Sequence, residues 1–103
     1  MKRNFRFTPL AEADVLAIWQ YIAIEDSEKA ADRVVARIYD ECDKLAANPA
    51  IGHYREDLID KRHRFWRAWS YLIVYRWEAR PVQVIAIVHG ARDLDAFFDE
   101  SGR

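Results

Sequence analysis

The residues best suited to chemistry are His89 and Arg92, set in the polar stretch HGARD that follows a long apolar run. An imidazole titrates near neutrality and a guanidinium grips phosphate in a planar fork, so the pair suits acid–base work on a phosphodiester. His53, His63 and the nearby arginines would support it. The plainer alternative has His89 closing a strand end and Arg92 paired with Asp93 or Asp95. The three histidines show no metal-type spacing such as HExxH, and neither a metal nor a cofactor is expected. Neither Ser27 nor Ser70 lies in a motif that would make it a nucleophile. A second candidate is RHRFWRAW, residues 62 to 69, where basic and aromatic residues interleave. Trp66 and Trp69 could stack on bases while Arg67 clamps the backbone, although aromatics that cover helices are commoner.

Charge is unevenly distributed around these residues. Between 61 and 92 stand Lys61, Arg62, Arg64, Arg67, Arg76, Arg80 and Arg92 against Glu78 alone, a net +6 in a chain of formal net charge −1, leaving −7 for the remainder. Such a basic side implies an acidic partner, either a protein segment or a nucleic acid. The alternative is a solvated basic edge strand that discourages sheet aggregation.

The elements that must position these groups are read from periodicity. Tyr71–Trp77 and Val82–His89 are rich in β-branched and aromatic residues and flank Glu78-Ala79-Arg80-Pro81, which predicts a hairpin with Pro81 in the turn or at the first position of the second strand. Alternation puts Val84, Ala86 and Val88 on one face of that strand and Ile85 and Ile87 on the other, so it should be central and covered. Arg62–Trp69 predicts a further strand, with Arg64, Trp66 and Ala68 on one side and Phe65, Arg67 and Trp69 on the other. Asn4–Phe7 predicts a short first strand. Thr8 then caps a helix with Pro9 in its first turn, running to about Ala23 with Ala11, Val15, Ile18, Trp19 and Ile22 as one buried stripe. Asp26 or Ser27 caps a second helix, whose apolar positions Ala31, Val34, Val35, Ile38, Cys42 and Leu45 lead to a stop at Asn48-Pro49. So short a link predicts an αα-hairpin. Residues 49 to 60 read as an ordered connection with Tyr54 and Leu58 as anchors, and Leu94–Phe98 as a helical turn that lays phenylalanines on the core.

With 103 residues, 51% of them hydrophobic and 32% charged, one domain spanning 1–103 is expected. No run of about eighteen apolar residues exists to span a membrane. The opening MKRNFRFTPL lacks a signal-type apolar region, so a cytoplasmic location is expected. Cys42 has no second cysteine to pair with and reads as a small buried hydrophobe.

The stretches FTPLAEADVLAIWQYI (Phe7–Ile22), CDKLAANPAIGHYREDL (Cys42–Leu58), YLIVYR (Tyr71–Arg76) and VIAIVHGARD (Val84–Asp93) together resemble the ParE/RelE superfamily of type II toxin–antitoxin toxins. The resemblance implies an α+β fold of order β-α-α-β-β-β, with the N-terminal strand and αα-hairpin packed on a small antiparallel sheet. It also implies a cognate, ParD-like antitoxin whose C-terminal segment wraps the toxin, within a higher-order complex. RelE-like members cleave mRNA on the ribosome. In that reading Arg67, His89 and Arg92 would be catalytic, but Leu72 stands where that branch carries an arginine, and Phe97 or Phe98 where it carries a tyrosine. ParE-like members lack the nuclease set and poison DNA gyrase, causing growth arrest in the service of plasmid stabilisation, and IWQYI and HGARD look more like them. The expected target surface is Arg64, Trp66, Arg67, His89 and Arg92. The expected antitoxin surface is Trp19, Ile22 and Tyr39, whose alternative role is plain core packing.

Overall fold

In the computed structural model, residues 4–54 and 62–89 are described. Strand β1 (Phe5–Phe7) leads into helices α1 (Pro9–Glu25) and α2 (Glu28–Ala47), a single 3-10 turn at Pro49–Ile51, and strands β2 (His63–Ala68), β3 (Tyr71–Arg76) and β4 (Val82–His89). The β-α-α-β-β-β order matches the expectation. The sheet order is β1-β4-β3-β2, with β2, β3 and β4 antiparallel and β1 parallel to β4, so the sheet is mixed. A strand that enters a two-helix crossover and returns three strands later can lie parallel to the last of them.

The helices begin where side-chain acceptors satisfy their first N–H groups. Thr8 Oγ1 accepts from the Ala11 N–H at 3.1 Å and Ser27 Oγ from the Ala30 N–H at 3.0 Å. Ser27 is therefore the cap of α2, and Asp26 ends α1 by donating its backbone N–H to the Ile22 carbonyl. Thr8 also joins the two layers, donating its hydroxyl to the Ile85 carbonyl and its backbone N–H to the Val84 carbonyl.

The helical hairpin covers one sheet face. Ala11, Val15, Ile38, Cys42 and Leu45 meet Phe5, Ala68, Ile73, Tyr75, Val82, Val84 and Ile87 there. The opposite face holds a second buried group, Phe65, Leu72, Val74, Ile85 and Ala86. Strict alternation along β4 fails. The register slips between Val74 and Tyr75, whose partners are Ala86 and Val84, so Ile85 is an extra residue. One inserted residue reverses facing beyond it. Ile87 therefore shares the helix side with Val84, while Ile85 and Ala86 both lie on the other. Trp69 also departs from expectation. It stands in the β2–β3 turn at φ 54°, off the strand and left-handed, under the Arg37 guanidinium at 4.1 Å from its ring centroid.

Candidate functional site

The expected target residues divide according to the face and end of the sheet on which register places them. Arg64 pairs with Tyr75 on the helix side. Its Nη1 donates to the Gly52 carbonyl at 2.8 Å, and its guanidinium stacks 4.3 Å from the ring centroids of both Tyr54 and Trp77. Trp66 lies on the same side and donates its Nε1–H to Glu41 Oε2 at 3.0 Å, while its ring stacks on His53. Both residues thus fasten β2 to α2 and to the chain following the 3-10 turn. Arg67 pairs with Leu72 and faces the other way, exposed, with Nη1 3.4 Å from the Trp69 carbonyl. His89 pairs with Tyr71 on the helix side, its ring edge-on to Tyr71 at 5.3 Å. Arg92, with Leu58, Phe97 and Phe98, lies outside the described residues.

The sheet therefore separates Arg67 from His89. His63 stands five residues from the His89 end of β2, about 17 Å away at the usual strand rise of about 3.3 Å. Among the described residues no cluster of three His, Cys, Asp or Glu side chains is arranged to hold a metal ion.

His89 and Tyr71 open onto a cleft of about 450 Å³ completed by Ala17, Ile18 and Tyr21 of α1. Burial, and secondly the neighbouring Tyr21, push the Tyr71 phenol above its ordinary pKa, so it remains a neutral hydrogen-bonding group at physiological pH. A second cleft of about 310 Å³ lies between α1 and α2, where Trp19 and Tyr39 face Phe7, Val15, Leu16 and Val35. Trp19 donates its Nε1–H to Asp32 Oδ1 at 2.8 Å, which fixes the ring over the groove. Ile22 is half-buried. Residues beyond the expected three carry most of the exposed apolar area on α1: Leu10, Leu16 (56% exposed), Tyr21 and Ile24 (82% exposed). The signal was present in the sequence, since Leu10, Ala17, Tyr21 and Ile24 recur at helical spacing outside the buried stripe. A helix apolar on two faces needs two neighbours, and α2 with the sheet supplies one.

The family model for the ParE toxin of the type II toxin–antitoxin system parDE matches residues 5–94. The chain belongs to the ParE toxin family. No curated protein matches it in sequence. Among solved structures, a chain of the chromosomal ParDE toxin–antitoxin system from P. aeruginosa superposes with a TM-score of 0.70 at 21% identity, covering 85% of this chain and 96% of that one. At such identity the likeness concerns the fold, and it agrees with the element order of the toxin described above. Membership of the ParE toxin family implies an antitoxin as partner. No helix among the described residues is long and apolar enough to cross a membrane.

Proposed function

We propose that this ParE-type toxin acts by binding and poisoning DNA gyrase, and that its cognate, ParD-like antitoxin neutralises it by covering the outer apolar face of α1 and the α1–α2 groove. The observation that carries the choice of target is the separation of Arg67 from His89 by the sheet. A nuclease needs its acid, base and phosphate clamp around one scissile bond. These two groups leave opposite faces, and Leu72 between them is buried and apolar where an arginine would serve an mRNA-cleaving relative. A binding protein needs no such convergence. The target surface then includes Arg67, His89 and Arg92, with Arg64 and Trp66 holding β2 in shape. Antitoxin contacts fall on Trp19, Ile22 and Tyr39, joined by Leu16, Tyr21 and Ile24.

Purified gyrase with supercoiled DNA and this toxin, run beside ribosomes programmed with mRNA, tests the proposal. Accumulated linear DNA with intact mRNA is expected. Cut mRNA with unaffected gyrase would overturn it.

A further inference from the structure

At the end of the sheet remote from His89, register aligns one residue from each strand on the face away from the helices. His63 of β2 pairs with Arg76 of β3, Arg76 with Gln83 of β4, and Gln83 with Arg6 of β1. Their neighbours Phe5, Tyr75, Val82 and Val84 all point into the helix-side core, so alternation sends these four the other way. At a strand spacing of about 4.8 Å the row crosses the whole sheet, about 14 Å. Arg62, His63, Arg76 and Gln83 line a cleft of about 350 Å³ there, with Leu10 and Ile85 as its apolar wall.

None of the described lining residues is a carboxylate, and none of the four strands contains one. Residues 9 to 47, by contrast, hold nine acidic and four basic side chains. Among the described residues the helical layer is thus acidic and the charged side chains of the strands are all cationic, an arrangement that favours a polyanion on the sheet over the helices.

We propose that this transverse row is a phosphate-binding site for the backbone of a nucleic-acid duplex, with Arg6 and Arg76 as its principal contacts. Guanidinium forks match phosphate oxygens in pairs, and the Gln83 amide between them adds a neutral donor. His63 is buried, so Arg6, Gln83 and Arg76 present the row on three successive strands, and their regular spacing suits a repeating polyanion. The contacts are to the backbone, so binding is independent of sequence. The inference rests on the gyrase reading only in making the duplex the DNA that gyrase holds; the site itself lies at the opposite end of the sheet from Arg67 and His89.

The test is fluorescence anisotropy of the full chain with short labelled duplexes of unrelated sequence, over a salt series. Arg6→Gln with Arg76→Gln should weaken binding to all of them by about tenfold or more and lower the salt slope by about 2. Gln83→Glu, which sets a carboxylate within the row, should weaken binding similarly, and exposed Arg33→Gln on α2 should not. Unchanged affinity and slope in the double variant, at an unchanged thermal midpoint, would overturn the site. So would tighter binding of a polyglutamate peptide than of duplex, lost in the same variant, since the cleft would then take an acidic protein segment. Gyrase assays on these variants separate the two readings. Poisoning retained with DNA binding unchanged removes only the row, whereas DNA binding lost in the variants of a wild type that never traps gyrase removes only the gyrase target.

Discussion

Tyr75 shows how one side chain sets the loop before the sheet. It is fully buried, accepts from the Gly52 N–H at 2.9 Å and donates to the Pro49 carbonyl at 2.7 Å, which ties the 3-10 turn to β3. Tyr75→Phe leaves two backbone groups without this partner and should cost about 1–3 kcal/mol, read as a lower urea midpoint. Burial, the leading cause, raises the phenol's pKa against the opposing Gly52 hydrogen bond and Arg64 charge. The unfolded chain therefore loses this proton first. The stability that the neutral phenol contributes is complete below about pH 10 and is lost as pH climbs past that value. Midpoints measured near neutrality and above pH 10 should fall more steeply in the wild type than in Tyr75→Phe. Gly52 is constrained by the same contact, because a Cβ there would overlap the Tyr75 hydroxyl and ring and press on the Phe65 carbonyl. Gly52→Ala should cost about 1–3 kcal/mol in the same assay, as overpacking does.

Helix α1 carries two tasks at the element scale. Its inner face and first turn close the sheet beyond the three residues of β1: Thr8 bonds the Val84 and Ile85 carbonyls, and Asp14 Oδ2 accepts from the Ile87 N–H at 3.0 Å, just past the bulge. Thr8→Ala removes a cap and a link between layers and should cost about 1–2 kcal/mol by thermal unfolding. The outer face makes no comparable contribution. Ile24→Lys should change stability by less than about 0.5 kcal/mol, since the residue is 82% exposed, yet abolish co-purification with the antitoxin. Retention of the antitoxin by this variant and by Tyr21→Lys would place its binding elsewhere.

Across the whole molecule, charge and apolar surface are distributed to different sides. The helical layer presents Leu16, Tyr21 and Ile24 among carboxylates, while the far end of the sheet presents arginines. An antitoxin on the helices and a duplex on the sheet could then bind without competing for the same side chains. Antitoxin that binds only the folded toxin should raise its thermal midpoint with the logarithm of concentration, by the equivalent of about 2.7 kcal/mol at a hundredfold excess over Kd. A short duplex should leave that shift unaltered. Loss of the antitoxin shift on adding duplex would show that the two surfaces overlap.

Periodicity and local chemistry were enough for the elements themselves. Thr8-Pro9 and Ser27 mark helix starts because their hydroxyls reach N–H groups three residues on, and Pro81 marks a strand start because it has no N–H to lose from the ladder. The interleaved sequence of β2 likewise predicted its two faces, with Arg64 and Trp66 opposite Phe65 and Arg67. Tertiary structure decided which of those polar groups are available. Whether Arg64 reaches solvent depends on Gly52, Tyr54 and Trp77, residues 10 to 13 positions away that no local rule connects to it. The facing of Ile87 depends on a bulge, and a single inserted residue leaves no mark in a run that is apolar on both sides. The cationic row depends on four strands meeting in register, two of them separated by the entire helical hairpin. The sequence determined the elements and the charge they carry, because those follow from neighbours in the chain; only the fold, through long-range pairing, decided which charges share a face.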